Sequence, residues 1–110
     1  MKIAIPIVNG ELNGHFGHTQ EFYIFEVENN AIIKEETITP PPHEPGVYPK
    51  WLADMGVTDV IAAGMGQMAI SLFTKNKINV FVGVQVKAPK DLVIDLINGV
   101  IETSDNTCSH

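Results

Sequence analysis

Cysteine occurs once in the 110 residues, at Cys108. A single thiol closes no disulfide within the chain, so a reducing, cytoplasmic setting is the expectation. Positive charge is also scarce: seven Lys and Arg stand against thirteen Asp and Glu, a net charge of -6. A nucleic-acid surface needs clustered Lys and Arg, so none is expected. No apolar run reaches the roughly 18 residues of a membrane-spanning helix, so no membrane span is expected. The opening "MKIAIPIVNGE" carries one Lys and a short apolar run that turns polar at once. It reads as a strand and not as a signal peptide. The chain lacks a G-x-S-x-G nucleophile elbow. Its first apolar run, "KIAIPIV", holds no carboxylate, so it cannot supply the Mg²⁺ ligands of a ribonuclease H-type nuclease.

What remains is apolar enough for a core: 45% of the residues are hydrophobic. The length suits one compact domain, expected over residues 1–102, followed by a polar tail, 103–110. "KIAIPIV" (Lys2–Val8) reads as a buried strand, with a bulge or an early end of pairing expected near Pro6. "EFYIFEVE" (Glu21–Glu28) and "AIIKEETIT" (Ala31–Thr39) read as strands joined by a tight Asn29–Asn30 turn. "PPPHEPG" stops the second of them. A helix is expected over Val47–Met55, with Val47, Trp51, Leu52 and Met55 on one face, Pro49 in its first turn and Gly56 at its end. "TDVIAAG" is a near-continuous apolar strand of the parallel kind. A second helix is expected over Met65–Lys75, with Met65, Met68, Ala69, Leu72 and Phe73 as its apolar stripe. "INVFVGV" is a further buried strand. Pro89 opens a third helix that Gly99 follows.

The order β-β-β-α-β-α-β-α with right-handed crossovers predicts an α/β fold. It is a three-layer α/β/α sandwich with three helices and a five-stranded mixed sheet in the order 3-2-1-4-5. In that order the first and fourth strands are neighbours whose connections leave in opposite directions. Their carboxyl ends form a crevice of the kind that binds ligands. The loop after the first strand carries "NGHFGH", and the loop after the fourth carries "GMGQM".

These loops hold the candidate residues. His15 and His18 form an H-x-x-H pair on a glycine-hinged loop. They fit either imidazoles that cap backbone groups or a pair of metal ligands. Phe16, between them, could shield a ligand or plug the core. Cys108 and His110, a C-x-H at the end of the chain, are an idle tail or a soft chelate; with His15 and His18 they would complete a Cys1His3 tetrahedron suited to zinc. His43, in "PPHEPG", is a surface histidine or a further ligand. Gly64 and Gly66 in "GMGQMA" open a helix, where free N–H groups and the helix dipole favour an anion. The G-x-G-x-x-A pattern is not taken as a dinucleotide site, because "INVFVGV" ends without the acidic residue that would hold a ribose. Met65 and Met68 suit the core, although Met65, between the glycines, could turn its thioether to a soft metal.

The stretches "MKIAIPIVNGELNGHFGHTQEFYIFEVENN", "WLADMGVTDVIAAGMGQMAISLF" and "INVFVGV" resemble the dinitrogenase iron-molybdenum cofactor biosynthesis family over nearly the whole chain. The H-F-G-H loop and the G-x-G loop are its most specific parts. The resemblance implies a ribonuclease H-like fold and a non-catalytic carrier or storage role. The cargo would be an anionic metal-sulfur cluster, either iron-sulfur or one containing molybdenum or copper. Carried over, it points to His15 and His18 as metal ligands, and to Asn13, Gly14 and Phe16 around them. Gly64, Met65 and Gly66 would form the cradle, and Cys108 and His110 a cover. The extra domains of the dedicated nitrogenase factors are not expected in this chain. The partners implied are cluster donor and acceptor proteins, and a monomer or weak homodimer is expected. Two other readings stay open: a mononuclear zinc or copper protein using the Cys-His set, and a regulator whose glycine loop binds phosphate or another oxyanion.

Overall fold

The computed structural model describes residues 1–8, 11–12, 21–41, 47–84 and 87–103, with the backbone alone at 8, 11 and 12. Six strands and three helices follow one another: β1 (Lys2–Val8), β2 (Glu11–Leu12), β3 (Glu21–Glu28), β4 (Ala31–Ile38), α1 (Val47–Asp54), β5 (Asp59–Ile61), α2 (Gln67–Lys75), β6 (Asn79–Phe81) and α3 (Pro89–Ile97). The sheet runs β4-β3-β1-β5-β6, with the two-residue β2 attached to β1. This is the predicted order once β2 takes a number. Pairs β1–β3 and β3–β4 are antiparallel; β1–β5 and β5–β6 are parallel.

Alternation along the strands sends side chains to two cores, one on each face of the sheet. Ala4, Phe22, Ile24, Val60 and Ala62 face α1 and α2, where Leu52 and Phe73 meet them. Ile3, Ile5, Ile7, Phe25, Val27 and Ile61 face α3 through Leu92 and Val93. Phe22, Phe25 and Phe73 are fully buried, and each such side chain contributes about 1.5–3 kcal/mol relative to exposure. Among the described residues no helix is long and apolar enough to cross a membrane.

The β3–β4 turn is as the sequence predicts: Asn29 and Asn30 take φ of 52° and 63°, the pair of positive angles that a two-residue hairpin of matching twist requires.

Pro6 causes a one-sided disturbance and no bulge in β1. The Val27 N–H donates to the Met1 carbonyl at 2.8 Å and the Met1 ammonium to the Val27 carbonyl at 3.1 Å. Alternation then turns odd residues of β1 toward β3 and even ones toward β5. The β3 ladder therefore passes unbroken through Pro6↔Phe22 to Ile7↔Glu21. The β5 ladder ends at Ala4↔Val60, because the next even residue is Pro6, which has no N–H. The bulge lies instead between β3 and β4, at Glu26/Val27. There Ile33 is the extra residue and is 56% exposed.

The second helix starts two residues later than expected, at Gln67. Of the expected stripe, Met65, Ala69 and Phe73 do pack into the core. The face that packs inward is Ala69, Ile70 and Phe73, while Met68 is 71% exposed. The helix ends after Lys75, as expected, and Asn76 caps it, with its side-chain amide donating to the Leu72 carbonyl at 2.8 Å. The first helix buries Tyr48 and Pro49 as well as Leu52 and stops before Gly56, at φ 85°.

Candidate functional site

The carboxyl ends of β1, β4, β5 and β6 lie on one side of the sheet, since β4 runs parallel to β1. Each of α1, α2 and α3 follows a strand that ends there. α1 and α2 each lead back to the amino end of the next strand, so their own amino ends, with the partial positive charge of unpaired N–H groups, lie on the carboxyl side; α3 packs on the other face, where Lys90 of its first turn reaches Glu35 of β4 at 3.3 Å. Neither α1 nor α2 carries an acidic residue in its first turn; α3 carries Asp91.

At α2 this edge is laid bare further. Gly66 is the N-cap, extended at φ -66° and ψ 153°, and it has no side chain with which to cap the helix. Its carbonyl accepts the Ile70 N–H at 3.1 Å. Any residue adopts that φ, so glycine supplies something else there, namely the absence of a Cβ beside the first-turn N–H groups. The preceding loop is tied to the next one along the edge: Ala62 N–H donates to Phe81 O at 2.8 Å and Gly83 N–H to Ala63 O at 3.0 Å. Gly83 sits at φ 73°, a conformation that costs glycine little. The sequence reading passed over it. Its place in "INVFVGV", just past a buried strand like Gly64 in "TDVIAAG", was the available signal.

The loop after β1 is anchored by its ends. Ile7 pairs with Glu21 of β3 and also with Leu12 of β2. A strand has two edges, so β2 occupies the edge of β1 that faces β5, beyond the point where Pro6 ends the β5 ladder.

Beneath this end lies an aromatic cluster. Phe22, paired with Pro6, meets Tyr48 edge-on at a centroid distance of 5.4 Å and Trp51 at 5.8 Å. Burial pushes the Tyr48 phenol pKa up from 10.0, which keeps it neutral. Gly64 is buried and Gly66 half-buried. Met65 has no exposed surface and packs in the same core.

Of the sequence-predicted site residues, the structure brings Gly64, Met65 and Gly66 together at the amino end of α2. Asn13, Gly14, His15, Phe16, His18, His43, Cys108 and His110 lie outside the described residues. Among the described residues no group of three or more His, Cys, Asp or Glu is arranged to hold a metal ion. The one buried carboxylate among them, Asp59, is at the opposite, amino end of β5. It takes hydrogen bonds from Thr58 Oγ1 at 2.6 Å and Asn79 Nδ2 at 3.1 Å. That network joins neighbouring strands and plays no part in the crevice.

Comparison with known proteins agrees with this architecture. An uncharacterised protein of Methanocaldococcus jannaschii is 40% identical over 86 residues, which span 74% of this chain and 73% of that protein. The crystal structure of PH0822 superposes with a TM-score of 0.87 at 27% identity, covering 96% of each chain. The apo form of the orange protein from Desulfovibrio gigas shares the fold, with a TM-score of 0.75 at 16% identity over 96% of this chain and 93% of that one. The family described as dinitrogenase iron-molybdenum cofactor matches residues 1–99, and the chain belongs to that family.

Proposed function

We propose that the protein is a non-catalytic carrier or storage protein for an anionic metal-sulfur cluster, held at the carboxyl edge of the sheet. The observation that carries this reading is the amino end of α2 at that edge, where the N-cap is Gly66 and brings no side chain of its own. Backbone N–H groups at Gly66 and Gln67 would offset the cluster's charge. His15 and His18 would bind its metal. They belong to the segment between Leu12 and Glu21, both of which pair with Ile7 of β1. Such a site holds its cargo by few protein bonds, which suits transfer between donor and acceptor proteins. Cys108 and His110 would add soft and borderline ligands. Cytoplasmic residence accords with a free thiol and an oxygen-sensitive cargo.

The test is anaerobic purification from a metal-replete host, with metal and acid-labile sulfide measured on the same sample. Iron or molybdenum with stoichiometric sulfide is expected, and its loss in the His15→Ala, His18→Ala double variant. Zinc or copper without sulfide would replace the cluster with a mononuclear site. Uptake unchanged in the double variant would remove the histidines from the site.

A further inference from the structure

We propose that Met68 is a site of oxidation by hydroperoxides, and that its sulfoxide weakens anion binding at the amino end of α2. The second half rests on the carrier reading above.

The chain has four methionines, and the structure separates them sharply. Met65 has no exposed surface, Met55 is half-buried, Met1 is 55% exposed and Met68 is 71% exposed. A thioether reacts with a peroxide only where the peroxide can reach it. Met65 and Met68, three residues apart, therefore differ in access almost as far as two methionines can. The two exposed ones also differ in place. Met1 pairs with Val27 at the amino end of β1, far from the crevice. Met68 is the second residue of α2.

The reaction is a two-electron oxygen transfer. The sulfur lone pair attacks a peroxide oxygen, the O–O bond breaks and an S–O bond forms. The thioether is oxidised to the sulfoxide, and hydrogen peroxide is reduced to water, or an alkyl hydroperoxide to its alcohol. The product is polar, and enzymes that reduce methionine sulfoxide reverse it. Its oxygen is a hydrogen-bond acceptor with partial negative charge. Side chains of an α-helix lean toward its amino end, which turns this oxygen toward the first turn of α2, whose N-cap Gly66 brings no side chain of its own. It competes there with an anionic ligand and repels it. A carrier of oxygen-sensitive clusters would thereby refuse cargo under peroxide stress and recover on reduction.

The test uses the full chain and tetrathiomolybdate as an anionic metal-sulfide probe. The protein is treated with hydrogen peroxide, quenched with catalase, reduced with dithiothreitol to restore Cys108 and desalted. Dithiothreitol leaves a methionine sulfoxide in place. Peptide mass spectrometry follows each methionine. Met68 and Met1 should oxidise about tenfold or more faster than Met65. Oxidised wild type should bind the probe about threefold or more weakly. The Met68→Leu variant should hold its affinity through the same treatment, although its Met1 still oxidises. Met65 oxidising as fast as Met68 would overturn the proposal. So would affinity unchanged after complete Met68 oxidation, or an equal loss in Met68→Leu. Failure of the untreated protein to bind the probe at all would instead sink the carrier reading, and the effect on binding with it, while the oxidation rates would still judge the site.

Discussion

Leu12 and Glu21 pair with the same residue, Ile7, from opposite edges of β1. The connection 13–20 is thereby tethered at both ends to the carboxyl end of one central strand. Its eight residues can be lengthened at small cost to the fold, since doubling a loop costs only about 0.6 kcal/mol of closure entropy. A Gly/Ser insert of equal length before Asn13 should leave the denaturation midpoint almost unmoved. It should lower tetrathiomolybdate affinity about tenfold or more, because the histidine pair is then held over a much larger volume. Titration beside urea unfolding checks both halves. Retained affinity would show that the anchoring is irrelevant to binding.

The strand order and the two faces of the core were legible in the sequence because alternation and apolar runs encode them directly. The Asn29–Asn30 turn was legible for a similar reason: its backbone angles favour asparagine. The two-residue β2 was not, since so short a strand has no period to detect. Pro6 was read correctly as a missing donor, but not which side would feel it. That depends on the parity set by the Met1–Val27 pair, a tertiary fact. The α2 stripe was legible in part: Met65, Ala69 and Phe73 pack into the core, but Met65 belongs to the lead-in before Gln67 and Met68 faces solvent. At the site, the glycines were legible from the strand-loop-helix pattern.

Glycine at position 66 serves access rather than backbone freedom, since its φ of -66° and ψ of 153° suit a branched residue. The Gly66→Val variant should therefore fold, with a loss of about 1 kcal/mol or less at the helix N-cap. Its side chain would stand beside the α2 N–H groups and block close approach. Calorimetric titration with tetrathiomolybdate should show affinity reduced about tenfold or more. Equal affinity in variant and wild type would place the anion elsewhere.

Trp51 is the chain's one tryptophan and packs against Phe22 beneath the carboxyl end of β1. A metal-sulfur cluster bound above it would absorb broadly and take up its excitation energy. Tryptophan emission should fall on cluster loading and recover on release, with a midpoint matching that of the visible absorption. Emission that ignores loading would put the cluster far from this end of the sheet.

Asp59 separates stability from binding. Its carboxylate is 5% exposed and bonded to Thr58 and Asn79 at the amino end of the sheet. Asp59→Ala removes the link between Thr58 and Asn79, although the Thr58 hydroxyl keeps the Lys2 carbonyl as an acceptor, and should cost about 1 kcal/mol. Urea denaturation should show a lower midpoint, while probe affinity at a temperature where the variant stays folded should match wild type. A binding loss in the folded variant would contradict the placement of the site at the opposite end.

Tyr48 gives the fold an alkaline limit. Burial raises its phenol pKa above the value of 10.0 expected for the unfolded chain. Between these two values the unfolded state releases its proton and the folded state keeps it, so the unfolded state binds fewer protons and stability falls as pH rises. The stabilisation of the neutral phenol is complete below pH 10 and is lost progressively through the raised folded value. Tyr48→Phe removes the titrating group and keeps the ring against Phe22. Denaturation midpoints measured from pH 8 upward should fall more steeply for wild type than for Tyr48→Phe, with the curves diverging only above pH 10. Parallel curves would mean that the hydroxyl is as well solvated in the folded chain as in the unfolded one.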